Sequence, residues 1–145
     1  MFEQFKKLYD EQGVRRYYVG GALGVDMWAG ELILRLKEQP GYGDIELVVV
    51  LPFEGHDSKW DERSKRRMDF LLRMCSDCVV IGKEDCRESY IKRNRYMVDH
   101  ADYLVAVYDN ERNLRSGTMQ TVRYAQNKGI TISFVNPDTA TVTTN

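Results

Sequence analysis

The chain has 145 residues, within the usual range of one domain and long enough to bury a core without disulfide or metal staples. Charged residues make up 30% and apolar ones 43%, and the net charge of −1 supplies no field that would gather nucleic acid, so a nucleic-acid partner is not expected. Apolar runs such as "IELVVVLPF" are too short to span a bilayer and the opening "MFEQFKKLYDEQ" lacks a signal-peptide core, so the reading is a cytoplasmic protein with no membrane partner.

In chain order, Phe2, Phe5, Leu8 and Tyr9 share one side of an amphipathic helix that feeds the first of five β-branched runs, "VRRYYVGG", "IELVVVLP", "DCVVIG", "DYLVAVYD" and "ITISFV". Each of the first four runs is followed by a stretch of helical spacing. After the first come Val25, Trp28, Ala29, Leu32, Ile33 and Leu36, a stripe that should end near Pro40 and Gly41. After the second, "SKWDERSKRRMDFLLRMC" carries Trp60, Met68, Leu71, Leu72 and Cys75 at compatible spacings, with Ser58 as the cap. Tyr90, Asn94, Met97, Val98 and Ala101 share a further face, as do Met119, Val122 and Ala125 before Gly129. Alternating strands and helices predict an α/β fold, a Rossmann-like three-layer sandwich around a mostly parallel sheet of about five strands. Residues 1–136 are expected to form the single domain and 137–145 a flexible tail.

Cys75, Cys78 and Cys86 form an odd set that suits a reducing compartment. The "CSDC" pair could be redox-active or half of a zinc site, but the other ligands, Cys86 with His56 or His100, would have to come from elsewhere in the chain. The structural reading, cysteine as a small apolar residue, is preferred, and no metal or resident cofactor is expected.

Two stretches carry the chemistry. In "YYVGGALGVDMWAGE" a strand runs into Gly20, Gly21, Ala22, Leu23 and Gly24, then into a helix with Asp26 in its first turn. Free N–H groups and the positive end of a helix meet there, which suits phosphate, and glycine permits close approach of a ligand. The spacing is neither the dinucleotide fingerprint nor a P-loop. Close helix–strand packing alone is the competing account. In "YDNERNLRSGTMQTVRYA" the fourth run passes through a polar loop, which includes Asp109, into a helix opened by Ser116, Gly117 and Thr118, repeating the same logic. Loops that follow parallel strands open on one edge of the sheet, so both could border one crevice. Arg93 and Asn94 in "IKRNRYMVDHAD" could reach a phosphate, a ribose or a base edge, or be solvated surface residues.

The stretches "GGALGVDMWAGELILRLK", "LPFEGHDSKW", "RNRYMVDHADYLVAVYD" and "SGTMQTVRYAQNKGI", with their spacing, resemble the SLOG superfamily, which joins the DprA/Smf DNA-processing proteins to the LOG nucleotide hydrolases. The resemblance is to its short bacterial and phage YpsA-like branch and covers Tyr17 to Val135. It implies a Rossmann-like fold, a homodimer or higher homo-oligomer, and a nucleotide pocket for ADP-ribose or NAD-related compounds. Two departures stand out. Relatives usually begin with a strand ending in a "TGHR"-like motif, whereas this chain opens in the following helix. LOG hydrolases carry a "PGGxGT" motif with a glutamate three positions after its threonine, and Thr121 holds that place here. A hydroxyl cannot replace a carboxylate in stabilising an oxocarbenium-like centre, while Arg93 matches the arginine that precedes the motif. A nucleotide-binding module is therefore preferred to an N-glycosidic hydrolase, with residues 20–24, Asp26, Arg93, Asn94, Asp109, residues 116–118 and Thr121 as the ligand-binding set.

Overall fold

A computed structural model describes residues 1–107, 116–136 and 141–144. Its elements alternate: α1 Phe2–Gln12, β1 Arg16–Val19, α2 Val25–Glu38, β2 Glu46–Leu51, α3 Glu62–Met74, β3 Asp77–Val80, α4 Arg87–Asp99, β4 Tyr103–Val107, α5 Ser116–Lys128, β5 Thr131–Val135 and β6 Val142–Thr144. The fold is α/β, as the alternation predicts, but the expectation of one sheet of about five strands needs correction. Among the described residues, six strands form two three-stranded sheets, β1-β2-β3, all parallel, and β4-β5-β6, in which β6 runs antiparallel to β5. The sixth strand is three residues long with none of its side chains buried, so it carries no apolar run for the sequence to display.

Period-two alternation decides which side of each sheet a residue serves. Tyr17, Val19, Leu47, Val49 and Leu51 pack with Phe5, Met27, Ile33, Leu36, Met68 and Leu71 from α1, α2 and α3 in the larger core. Val48 and Val50, equally buried, alternate to the face on which α4 meets β2. In the second sheet, Ala106 and Ile132 join Val98 of α4 and Val122 and Ala125 of α5 in a smaller core. Val105, on the opposite face of β4, packs against the larger core of the other sheet. The two sheets therefore present matching faces to shared helices.

Three local expectations are also revised. Ala29, Leu32, Ile33 and Leu36 are buried along α2, but Val25 and Trp28 in its first turn stand 42% and 50% exposed. The cap of α3 is Asp61, whose Oδ2 accepts from the Ser64 N–H at 3.3 Å, three residues beyond the predicted Ser58. β3 is an edge strand with Asp77, Cys78 and Val80 exposed, so Cys78 does not serve as a buried apolar residue. Cys75 is half-buried, donates its thiol hydrogen to the Leu72 carbonyl at 3.2 Å, and has its thiol pushed up by burial, which disfavours the reactive thiolate. Among the described residues no helix is long and apolar enough to cross a membrane.

Candidate functional site

β1 ends at Val19, and the next two positions both require glycine, for different reasons. Gly21 adopts φ +69°, in the left-handed region, and a methyl group placed on it would lie 2.6 Å from Leu51 Cδ2. Gly20 is constrained sterically instead: a methyl there would come 2.7 Å from Asp26 Oδ2 and 2.9 Å from Arg93 Nη1. The carboxylate of α2 and the guanidinium of α4 therefore both lie against the bare backbone at the end of β1.

Arg93 is 6% exposed. Its Nη1 donates to the Gly20 carbonyl and its Nε donates to Asn94 Oδ1 at 2.7 Å. Asp26 Oδ2 accepts from the Ala22 N–H at 3.4 Å, so this side chain turns back to hold the loop that precedes its own helix. Burial pushes the Asp26 carboxyl above the usual carboxylate range, and the Arg93 charge and the loop N–H groups oppose that rise. Burial likewise lowers Arg93, with Asp26 opposing, but an arginine stays protonated throughout the accessible range. The arrangement thus keeps a permanent positive charge in a poorly solvated place, partly balanced by a carboxyl that ionises reluctantly.

These groups border one cavity of about 1020 Å³. From the glycine loop it is lined by Gly20, Ala22, Leu23, Gly24 and Asp26, and from α4 by Arg93 and Asn94. Thr118 and Thr121, on the first turns of α5, border the same space. Gly21 does not line it; its carbonyl accepts from His56 Nε2 at 2.8 Å on the β2 side, and the loop is fastened there. Since a carbonyl can only accept, His56 carries its proton on Nε2, and the ring meets Trp60 edge-on at 5.1 Å. Ser116 and Gly117 open α5, with their side chains outside the described residues, and Asp109 lies outside the described residues altogether.

Sequence reasoning missed two contributors. His56 sits in the "LPFEGHDSKW" stretch, but nothing in its spacing reveals that it anchors the first glycine loop from 35 residues away. The second is the cavity's long wall, made by Arg16–Val19 of β1 and Tyr103–Val107 of β4, whose juxtaposition is a tertiary fact with no local signature.

An α/β protein with a tight glycine loop opening a helix, and a buried arginine turned onto that loop, is the class these features define. Residues 1–140 match the family model YpsA, described as the YspA SLOG family, and the chain belongs to that family. It is 26% identical over 111 residues to a UPF0398 protein of Staphylococcus epidermidis, covering 75% of this chain and 57% of the relative. It is 29% identical over 104 residues to UPF0398 proteins of Bacillus cereus and Bacillus thuringiensis, covering 70% of this chain and 55% of each relative. The chain thus spans about half the length of the curated relatives it matches.

Proposed function

We propose that this protein is a binding module for a small nucleotide-type ligand, of the ADP-ribose, NAD-derived or cyclic-nucleotide class, which it senses or sequesters. One observation carries the reading: the glycine loop, the start of α2, the buried Arg93 and the first turns of α5 all border the same cavity. A ligand phosphate would meet the N-terminal ends of two helices and a guanidinium held in low dielectric, where charge-assisted bonds are strong. Asp26, which borders the same cavity, could accept from a ribose hydroxyl. Titration calorimetry with ADP-ribose, NAD and AMP tests the proposal. Saturable binding that is lost in Arg93→Ala and retained in a surface variant such as Lys92→Ala is the expected result. No heat with any of the three, together with no co-purified nucleotide in native mass spectra, would refute it. The same spectra read the homo-oligomer that family membership suggests.

An N-glycosidic hydrolase is the second reading, and it rests on Asp26, a carboxyl that borders the cavity and that burial pushes above the usual carboxylate range, the direction a general acid needs. Against it stands Thr121 in the place where LOG hydrolases carry their glutamate. Chromatography of AMP incubations decides: release of free base, lost in Asp26→Asn, would displace the binding reading.

A further inference from the structure

The glycine loop is held by its carbonyls from two sides. Arg93 Nη1 donates to the Gly20 carbonyl, and His56 Nε2 donates to the Gly21 carbonyl at 2.8 Å. The second contact decides more than where the loop is fastened. In a planar trans peptide the C=O of one residue and the N–H of the next point in opposite directions. The Gly21–Ala22 bond is trans, so holding the Gly21 carbonyl on the β2 side turns the Ala22 N–H to the other side. The lining of the cavity agrees independently, since Ala22 borders it and Gly21 does not.

This orientation has to be held, because the local backbone does not fix it. Rotating one peptide plane by half a turn exchanges its donor and acceptor while changing only the ψ before it and the φ after it, so the flanking chain hardly moves. Gly21, at φ +69° and without a Cβ, opposes such a rotation least. Flipped, the loop would point a carbonyl oxygen at the cavity and repel an anion where its N–H would attract one. At the other end of the same peptide, the Ala22 N–H donates to Asp26 Oδ2 at 3.4 Å, a long contact that an incoming phosphate oxygen would replace. His56 is the holder that stays in place when a ligand arrives.

The imidazole is itself fixed. It stands on the turn after β2, next to Gly55 at φ +79°, and meets the Trp60 ring edge-on at 5.1 Å with the planes at 74°. Trp60 packs against the larger core, so the ring that props His56 is anchored in the packing of the sheet. Two short turns close the segment: the Ser58 N–H donates to the Gly55 carbonyl at 3.1 Å and the Trp60 N–H to the Asp57 carbonyl at 3.0 Å.

We infer that His56 is a positioning residue for anion recognition: it keeps the Gly21–Ala22 peptide turned so that the loop offers the cavity an N–H donor rather than a carbonyl. The inference rests on the nucleotide reading for the identity of the ligand, but not for the orientation of the peptide in the free protein. The role requires a hydrogen-bond donor at the place of Nε2 and nothing else of the ring. A glutamine amide nitrogen reaches that place, whereas an asparagine amide reaches only as far as Nδ1.

His56→Ala, His56→Asn and His56→Gln, compared with the parent, test this by two measurements. The HN–Hα coupling of Ala22, with relaxation dispersion of the Gly21 and Ala22 amides, reads the orientation of the peptide without ligand, and calorimetric titration with ADP-ribose reads its consequence. The parent should show one orientation. His56→Ala and His56→Asn should populate the flipped peptide and bind ADP-ribose at least about tenfold more weakly, while His56→Gln should match the parent to within about twofold. A histidine that only stabilises the fold would lower the melting temperature and leave the Ala22 coupling where it was. An unchanged Ala22 coupling in His56→Ala would overturn the inference, as would a flipped peptide with undiminished affinity or a His56→Gln variant as impaired as His56→Ala. Should His56→Ala not fold, the contrast between His56→Gln and His56→Asn carries the same test. A parent that binds no ADP-ribose would instead refute the nucleotide reading, and the Ala22 coupling then decides alone whether His56 orients the loop.

Discussion

Gly20→Ala tests the geometry of the site most directly, because Gly20 is the point on which the carboxylate and the guanidinium converge. The added methyl would sit 2.7 Å from Asp26 Oδ2, 2.9 Å from Arg93 Nη1 and 3.1 Å from Arg93 Cζ, and it cannot be accommodated unless one of the two side chains gives way. Inserting one methyl into a packed site costs about 1–3 kcal/mol. Displacing Arg93 would also break its bond to the Gly20 carbonyl, a charged bond of about 1.5–3 kcal/mol, though the two figures describe one displacement and do not add. Alanine restricts the unfolded chain and returns about 0.4–1 kcal/mol. The net is a loss of roughly 1–2 kcal/mol, which for a chain of this size lowers Tm by about 2–8 °C. Calorimetric melting measures that loss, and ADP-ribose titration should show affinity weakened at least about tenfold as the guanidinium leaves its position. An unchanged Tm together with unchanged affinity would refute the convergence.

Gly21→Ala combines a left-handed φ with the Leu51 clash, and about 1–3 kcal/mol of lost stability is expected in urea titration; because Gly21 faces away from the cavity, affinity measured on the folded fraction should change less than in Gly20→Ala. Arg93→Ala leaves a reluctant carboxylate without its nearest cation, so the destabilisation should shrink when Asp26→Asn is added, and a double-mutant cycle should show coupling of about 0.5–3 kcal/mol rather than additivity. Because burial raises the Asp26 pKa in the folded state, the native protein holds a proton that the unfolded chain releases near pH 4; this contribution to stability is full below that pH and is lost as pH rises through the native pKa. Urea midpoints between pH 4 and 7 should therefore fall less steeply in Asp26→Asn than in the parent, and equal slopes would contradict the raised pKa.

The elements were legible where burial imposes a period. Leu47, Val49 and Leu51 alternate into one core and Val48 and Val50 into the other face, giving the unbroken apolar run that marks a strand covered on both sides. Ala29, Leu32, Ile33 and Leu36 gave α2 in the same way. The stripe over-reaches at Val25 and Trp28 because helical spacing reports only direction around the helix axis, whereas burial also needs something packed opposite. β6 was invisible because none of its three side chains is buried. Of the site, the glycine loop could be read from the sequence because glycine has backbone consequences that chemistry alone predicts. Arg93 stands out in the sequence as a cation that could reach a ligand, but its burial on a largely polar helix has no sequence signal, because it lies outside the apolar stripe of Tyr90, Asn94, Met97, Val98 and Ala101.

The split sheet bears on the ligand site through that same arginine. The carbonyl where β1 ends, on Gly20, is bonded to a guanidinium from α4, and β1 immediately before it borders the cavity. Arg93 therefore closes the sheet at the position where strand pairing stops and ligand contacts would begin. An arginine with a solely electrostatic role would tolerate solvent, and one with a solely structural role would have no reason to border a large cavity; this one is buried and borders it.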